Sequence, residues 1–385
     1  MPQPSSNTGT VKFQRRLHEF LFSHGTTTAN DQSVSKPSRQ PKPPIVPLEL
    51  WKRTLDAVLA FRALEPWEWM GDAETSVVID GGGVPWFASV LGGSGQVYGL
   101  ALYRGSQGLR VLERLLTARC IEDLEGMPYQ QDGLTVWFGP KSELSAMQRE
   151  RYAALGYQPA RGTRMAWPSI LNHSPGYMPW APEASEVAWL AVAIRAVMQY
   201  AALLMNHPEV ASGRDRLEFP IIPTNESALE PGKLEWRHWS AEADRPPAAA
   251  LRITTPELEA ALRALPLVQG PGLELDWIYL PDTIAEGSRP YHPRAILIFD
   301  AATTICLAME LIPVGDNLFE KIGDKLIRAM LKMGTLPERV QVRRPELAQL
   351  LGQLLEGLGS KVQLVDRLPA AKSFQEGMLG FLGRR

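Results

Sequence analysis

Two aspartates each close a short apolar run, as acids at the ends of buried strands often do. Asp80 follows Val77-Val78-Ile79, Asp300 follows Leu297-Ile298-Phe299, and His292 precedes the second run. A carboxylate that faces a histidine or a second carboxylate can act as a general base or bind a metal ion. The candidate catalytic residues of this chain are therefore Asp300, Asp80 and His292.

Aromatic residues gather in two turn-like segments that also contain proline. Trp67 and Trp69 lie in the first segment, and Tyr177 and Trp180 follow His173 in the second. Large rings form pocket walls on which planar ligands stack. These five residues predict a small-ligand site if the two segments converge. The alternative is that the rings cover the end of a sheet.

Basic residues concentrate on one predicted helix and on the strand after it. The six residues are Lys325, Arg328, Lys332, Arg339, Arg343 and Arg344. A concentrated basic surface is what binding to nucleic acid requires. The six predict a surface for nucleic acid or for a protein partner, although charges on an amphipathic helix are also typical of an ordinary solvated face.

Other catalytic and cofactor patterns are incomplete. None of the six histidines has the i, i+4 spacing of a helical zinc site, and no Gly-x-Ser-x-Gly segment is present. The Gly92–Gly95 loop lies between two predicted strands and lacks the lysine of a phosphate-binding loop. We therefore predict no cofactor and no metal site, and we favour a protein that is not an enzyme.

The composition is that of a globular protein with two or three domains. The chain has 385 residues, of which 45% are hydrophobic and 21% charged, and its net charge is −2. Two cysteines without a pairing pattern indicate a reducing compartment. The apolar stretch 187–205 is interrupted by Arg195 and Gln199, which favours a buried helix over a membrane span. We predict a cytoplasmic protein with no membrane association.

The periodicity of apolar residues predicts a mixed α/β (α+β) fold with two similar mixed-sheet modules. Each module is a β-meander followed by alternating helices and strands, and the two are joined by a central helix and a small αβ unit. The predicted domains are a flexible basic tail at 1–46, an N-terminal α/β module with an aromatic connector and a long helix at 47–212, the small unit at 213–290, and the C-terminal module at 291–385.

The two modules share a sequence pattern that suggests an internal duplication. Val77-Val78-Ile79-Asp80 matches Leu297-Ile298-Phe299-Asp300, and the strand at Leu134 with its following helix matches the strand at Val340 with its own. If the modules are copies, residues 75–160 and 295–366 have the same strand order. Chance similarity between two α/β patterns is the alternative.

The order of elements from residue 295 to 368 resembles the RNase H-like fold of integrase and transposase cores. In that family a metal-binding aspartate lies on the first strand, where Asp300 stands in this reading, and a second acid lies at the fourth strand. Here the matching strand carries Arg343 and Arg344 instead. Two-metal chemistry needs clustered carboxylates, so the resemblance implies a degenerate module without that activity.

From Leu48 onward the chain also resembles uncharacterised bacterial proteins that pair two domains of unknown function. The segments that carry this resemblance are 66–70, 97–103, 174–180 and the C-terminal module. The resemblance implies no activity.

Together these patterns predict a non-catalytic protein that works by binding, with the C-terminal module as a surface for protein or nucleic acid. Two alternatives remain open at this point. One is an enzyme similar to a metal-dependent nuclease or hydrolase, with its site in a cleft between the modules. The other is a small-ligand sensor that uses the aromatic connector.

Overall fold

The computed structural model describes residues 41–71, 74–93, 95, 97–119, 124, 126–160, 165–212, 215–225, 229–241 and 255–382. They form a mixed α/β fold of eight helices and three sheets, which confirms the predicted fold class. The chain divides into two compact units. Unit 1 comprises Met1–Arg245 and Ala285–Pro290, and unit 2 comprises Pro246–Ile284 and Tyr291–Arg385. The predicted tail up to residue 40 and Cys120 lie outside the described residues.

Unit 1 is built on a seven-stranded sheet with the order β5-β4-β3-β2-β1-β6-β7. All neighbouring strands are antiparallel except β1 and β6, which are parallel. Its elements in chain order are α1 (Leu48–Leu64), β1 (Ser76–Ile79), β2 (Pro85–Leu91), β3 (Tyr98–Arg104), α2 (Gly105–Thr117), β4 (Gly133–Gly139), α3 (Ala146–Ala154), β5 (Trp167–His173), α4 (Ala184–Asn206), β6 (Glu218–Ile222) and β7 (Glu235–His238).

The period-2 alternation of strand side chains gives the first sheet two buried faces. Along β2, Trp86, Ala88 and Val90 join the core formed with α1 and α4, whereas Phe87 packs with α2 and β6 on the other face. Helix α4 is apolar on most of its circumference because it packs as the central helix of this core.

Unit 2 contains a five-stranded sheet with the order β11-β10-β9-β13-β14 and a two-stranded pair, β12 with β8. Strands β9, β10 and β11 form an antiparallel meander, and β13 and β14 run parallel to β9. Its elements are α5 (Pro256–Arg263), β8 (Leu267–Val268), β9 (Leu273–Tyr279), β10 (Arg294–Asp300), β11 (Cys306–Ile312), α6 (Leu318–Met333), β12 (Leu336–Pro337), β13 (Arg339–Val342), α7 (Pro345–Gly357), β14 (Lys361–Leu364) and α8 (Pro369–Leu382).

Helices cover both faces of the second sheet. Leu273, Leu275 and Trp277 of β9 pack with α6 and α7, whereas the alternate residue Ile278 packs with α8. Because β9 lies in the middle of the sheet and is buried on both sides, it is the central strand of unit 2.

The predicted small αβ unit at 213–290 does not form a sheet of its own. Strands β6 and β7 extend the first sheet, whereas β9 is the centre of the second. The first strand of the C-terminal module is therefore β9, and the predicted start at residue 291 is too late by one strand. The physical reason is burial. Because β9 is buried along most of its length, its backbone N–H and C=O groups need strand partners on both of its edges.

The structure also corrects the predicted aromatic connector, because the first part of this segment is a strand. Trp167–His173 forms β5 at the edge of the first sheet, with Pro168 opposite Phe138 of β4. Proline cannot donate a backbone hydrogen bond, so an edge strand is where a sheet tolerates it.

The proposed duplication of 75–160 and 295–366 is wrong in its strand order. The strand at Leu134, β4, pairs antiparallel with β3 on the outer side of the meander. The strand at Val340, β13, instead pairs parallel with β9 on the opposite side of its meander. The chain crosses the second sheet through α6 before β13, whereas no such crossing separates β3 from β4 in the first sheet.

Candidate functional site

The central strand β9 carries two acids at alternate positions, Glu274 and Asp276, on the side of the sheet that faces α8. Strand β13 runs parallel to β9 with Gln341 opposite Glu274. Two residues further on, this register brings Arg343 beside Asp276, and Arg344 follows directly. The parallel pairing of two strands that are more than sixty residues apart therefore builds this cluster.

Asp276 is held between two guanidinium groups. Its Oδ2 accepts a hydrogen bond from Arg343 Nε at 3.0 Å, and its Oδ1 accepts one from Arg344 Nε at 2.9 Å. The carboxylate is only 2% exposed. Arg344 also donates from Nη2 to the Trp277 carbonyl and lies 4.4 Å above the Trp277 ring. One negative charge thus faces two positive charges, an environment that repels cations.

Glu274, the other acid of β9, caps the last helix. Its two carboxylate oxygens accept hydrogen bonds from the backbone N–H groups of Ala370 and Ala371 in the first turn of α8, at 3.2 and 3.0 Å. A helix N-terminus leaves its first N–H groups without internal partners and favours a negative charge. Glu274 therefore fixes α8 against the sheet.

Asp300 stabilises a turn and faces neither Arg343 nor Arg344. Its Oδ1 accepts hydrogen bonds from the backbone N–H groups of Ala302 and Thr303, at 2.8 and 2.9 Å, in the turn between β10 and β11. His292 is 6% exposed and donates from Nδ1 to the Leu280 carbonyl at 3.1 Å. Both residues have local structural partners.

Asp80 has the same kind of role in unit 1. Its Oδ1 accepts from the N–H groups of Gly82 and Val84, and its Oδ2 accepts from Trp86 Nε1 at 3.0 Å. Burial raises the pKa of this carboxyl, but these hydrogen bonds and the charge of Arg104 outweigh burial and lower the pKa overall. Asp80 is therefore an ionised acceptor that closes the turn from β1 to β2.

The five aromatic-site residues do not converge. Trp67 packs against Phe61, Tyr98 and Phe138 in the core of unit 1, and Trp69 Nε1 donates to the Ala201 carbonyl.

His173 lies at the opposite end of the sheet, together with Tyr177 and Trp180. Tyr98 pairs with Phe138 at one end of β3, whereas Tyr103 pairs with Gly133, and Gly133 with His173, at the other end. Five residues of strand separate the two ends by about 17 Å. The two aromatic groups therefore belong to separate places in unit 1.

A polar network surrounds the end of β5. Arg289 donates to the side chains of Asn172 and Ser174, at 2.5 and 3.0 Å, and to the backbone carbonyls of Asn172 and Met178, at 2.7 and 2.8 Å. Arg289 also lies 5.5 Å from the centre of the Tyr177 ring. The network therefore gives the guanidinium both polar and aromatic partners.

A second arginine extends this network. Arg104 donates to Asp132 through two nitrogens, at 2.6 and 2.9 Å, and to Glu186 at 3.2 Å. Glu186 also accepts from the Asn172 side chain, so the two arginines share one connected set of partners.

His173 is buried next to this network. Its Nε2 lies 2.9 Å from Thr135 Oγ1, and the side chain is 5% exposed. Burial, with a contribution from the charge of Arg289, lowers the pKa of His173 to about 3. The imidazole is thus neutral across the physiological range and is a structural group rather than a proton donor.

Four of the six predicted basic-surface residues have carboxylate partners. Arg343 and Arg344 share Asp276, Arg339 pairs with Glu338 at 2.9 Å, and Lys325 pairs with Glu310. Arg328 and Lys332 are exposed on α6. Three carboxylates of the chain therefore offset part of the charge of the predicted basic surface.

Asp276 and Glu274 are not among the site residues that the sequence predicts. The available signal was the acid at every second position of an otherwise apolar strand, Leu-Glu-Leu-Asp-Trp. Among the described residues, no group of three or more His, Cys, Asp or Glu side chains is arranged to hold a metal ion.

Two family models match separate parts of the chain. Residues 51–220 match a domain of unknown function, DUF7309, and residues 260–379 match a second one, DUF6930. The chain carries two domains of unknown function. No curated protein and no solved structure matches it.

The two matches follow the observed units more closely than the predicted boundaries do. The DUF7309 match runs from α1 into β6, and the DUF6930 match runs from α5 into α8. Asp276, Arg343 and Arg344 all belong to the DUF6930 domain, as does the whole of the five-stranded sheet.

Helix α4, within the DUF7309 domain, is long and apolar enough to cross a membrane. However, 61% of its most apolar 18-residue window is buried inside the protein. That burial is typical of the core helix of a soluble protein.

Proposed function

We propose that this chain is a non-catalytic binding protein whose DUF6930 domain is a degenerate RNase H-like module that serves as a protein-interaction surface. The observation that carries this proposal is the engagement of Asp276 by Arg343 and Arg344. The proposal also places the chain in the cytoplasm, because its sequence has only two cysteines and no pairing pattern.

The strand arrangement of unit 2 supports the comparison with RNase H-like modules. An antiparallel meander of three strands is followed by a helix and then by a strand parallel to the first. With β9 as the first strand, the acid at the family's metal-binding position is Asp276 rather than Asp300. Arg343 and Arg344 then follow β13, the fourth strand of the five-stranded sheet in chain order, which is where the family has its second acid.

The electrostatics of this cluster argue against two-metal chemistry. Such chemistry needs several carboxylates that hold two ions about 3.5–4 Å apart. Asp276 instead faces two guanidinium groups, and the neighbouring acid Glu274 binds the N-terminus of α8. Each carboxylate of β9 is thus already stabilised by positive charge or by a helix dipole.

A protein partner fits the surface of the module better than nucleic acid does. Four of the six basic residues have carboxylate partners, which reduces the positive potential that attracts phosphates. Strand β11, in contrast, has exposed apolar residues at Met309 and Leu311, which are 51% and 47% exposed. Exposed apolar groups on a strand edge are typical of protein association.

Calorimetric titration of the full chain with Mg²⁺ and Mn²⁺, together with a cleavage assay on DNA and RNA, tests the non-catalytic part. We expect no saturable cation binding and no cleavage. Asp276→Asn and Asp300→Asn form a matched pair, because the second removes an acid outside the cluster. Cation binding that is lost in Asp276→Asn and kept in Asp300→Asn would overturn the proposal.

Fluorescence anisotropy with labelled DNA and RNA oligonucleotides tests the choice of partner. We expect no binding at about 0.15 M salt, where exposed charges more than about 8 Å apart are largely screened. Binding that persists at this salt concentration, and that Arg328→Glu with Lys332→Glu abolishes, would reassign the partner to nucleic acid.

A further inference from the structure

The outer edges of the two large sheets differ in how they are protected. Edge strands present unpaired backbone groups, and proteins usually shield them with charges, proline, short length or a covering segment. In the described part of the chain, the first sheet ends in β5 and β7, and the second ends in β11 and β14.

Three of these four edges carry such protection. Strand β7 has four residues, including Glu235 and Arg237, and β14 has four residues, beginning with Lys361. Strand β5 contains Pro168, is buried at five of its seven positions, and is bridged by Trp180 at Asn172.

Strand β11 is the exception, because it is long, apolar and exposed. It spans seven residues, and six of them are apolar, all except Glu310. Its register with β10 is regular from Ala308 to Ile312 and shifts only between Ala308 and Cys306. Met309 and Leu311 are about half exposed, and Ile305, just before the strand, is 61% exposed. Its single charged residue, Glu310, is paired with Lys325 of α6.

The side chains of β11 alternate between the two faces of the sheet. Met309 and Leu311 stand opposite Leu297 and Ala295 of β10, on the face that α8 covers. Leu297 and Ala295 are fully buried, whereas their β11 neighbours are half exposed. The apolar surface of this face therefore continues beyond the part that the unit itself buries.

We propose that a second copy of this chain pairs with β11, antiparallel and about a twofold axis near Met309, to form a continuous ten-stranded sheet. This inference rests on the proposed function of the module as a protein-interaction surface. It identifies the partner as the same chain.

The strand is self-complementary under this symmetry. An antiparallel ladder is unchanged by a twofold axis through its centre, so the free backbone groups of one copy match those of the other. With the axis at Met309, Glu310 faces Ala308 of the second copy rather than another glutamate. The pairing therefore creates no like-charge contact along the strand.

Cysteine cross-linking tests the predicted register in the full chain. Residues directly opposite in an antiparallel pair have Cα atoms about 4.5–5.5 Å apart, which is within the range of a disulfide. In a Cys120→Ser/Cys306→Ser background, Met309→Cys is expected to give a covalent dimer on mild oxidation. The matched control, Leu364→Cys, places an equally exposed residue on β14 and is expected to give several-fold less.

Sedimentation analysis tests the assembly without oxidation. The wild-type chain is expected to sediment with the mass of two chains, and Met309→Lys/Leu311→Lys with the mass of one. Both side chains are half exposed, so the circular dichroism spectrum of the double variant should match that of a Leu364→Lys control, which stays dimeric.

A wild-type chain that is monomeric at tens of micromolar would overturn the dimer, as would equal cross-linking of Met309→Cys and Leu364→Cys. These results are independent of the cation and cleavage measurements. A failed dimer therefore leaves the degenerate module standing, whereas cation binding at Asp276 contradicts the degenerate module and not the dimer.

Discussion

Asp276 and His173 show how each unit stabilises an ionisable side chain in its interior. Asp276 is buried and accepts hydrogen bonds from two arginines. His173 has a hydroxyl and a nearby guanidinium instead, so burial favours its neutral form. The first arrangement costs desolvation that the two ion pairs offset, and the second avoids a buried charge.

His173 makes the stability of unit 1 depend on pH. Its pKa is about 3 in the folded protein and 6.5 in the reference state, so the unfolded chain binds a proton more readily. The contribution of His173 to the free energy of unfolding is fully present above about pH 6.5. It is lost as pH falls toward 3, by up to about 1.4 kcal/mol per pH unit.

Urea unfolding between pH 7 and pH 5 measures this slope. We expect His173→Gln to flatten it, because glutamine does not titrate. His207→Gln, which changes a half-exposed histidine, should keep the wild-type slope. A His173→Gln protein with the wild-type slope would show that the buried imidazole is not the source.

At the scale of elements, close approach between strands restricts side-chain size in the first sheet. Gly99 of β3 lies against β4, and a Cβ atom added there would be 2.0 Å from the Val136 carbonyl oxygen and 2.8 Å from Trp137 Cα. Both are backbone atoms of a paired strand, which cannot move without disturbing the hydrogen-bond ladder.

We expect Gly99→Ala to destabilise unit 1 by about 1–3 kcal/mol, as overpacking does in well-packed interiors. Gly232→Ala is the matched control, because a Cβ there meets nothing within 4 Å. Chemical denaturation of both variants gives the comparison. Equal stabilities for the two would contradict the observed β3–β4 contact.

At the scale of the whole molecule, unit 1 is assembled from two separate stretches of chain. Ala285–Pro290 belongs to unit 1, although the residues on either side of it belong to unit 2. Arg289 is the main polar contact of this stretch, since it donates to Asn172, Ser174 and Met178. The integrity of unit 1 therefore depends on a residue far along the sequence.

Arg289→Ala should lower the free energy of unfolding of unit 1 by about 3 kcal/mol, because it removes charged hydrogen bonds and leaves partly buried acceptors unpaired. Lys233→Ala, which breaks an exposed ion pair, should change it by less than about 1 kcal/mol. The measurement is urea unfolding followed by tryptophan fluorescence. If Arg289→Ala lowers the free energy of unfolding no more than Lys233→Ala does, the Arg289 hydrogen bonds do not stabilise unit 1.

Much of the fold could be predicted from local patterns. Apolar residues recur at helical spacing along Leu48–Leu64, which forms α1, and the largely apolar run Leu273–Tyr279 forms β9. The turn roles of Asp80 and Asp300 also follow from local sequence, since each binds backbone N–H groups within four residues. Periods of 3.6 and 2 depend only on neighbours along the chain, so the sequence by itself determined which segments are helices and strands.

The tertiary structure alone decided which strands are neighbours, and with them the candidate site. Asp276 meets Arg343 because β13 crosses back to run parallel with β9, a pairing across sixty-seven residues that no local pattern specifies. The same long-range pairing left β11 at the edge of the second sheet. In unit 1, the pairing of β3, β4 and β5 separated Trp67 from Tyr177. Strand order depends on the burial of whole sheet faces, which involves side chains distant in sequence and is invisible to periodicity.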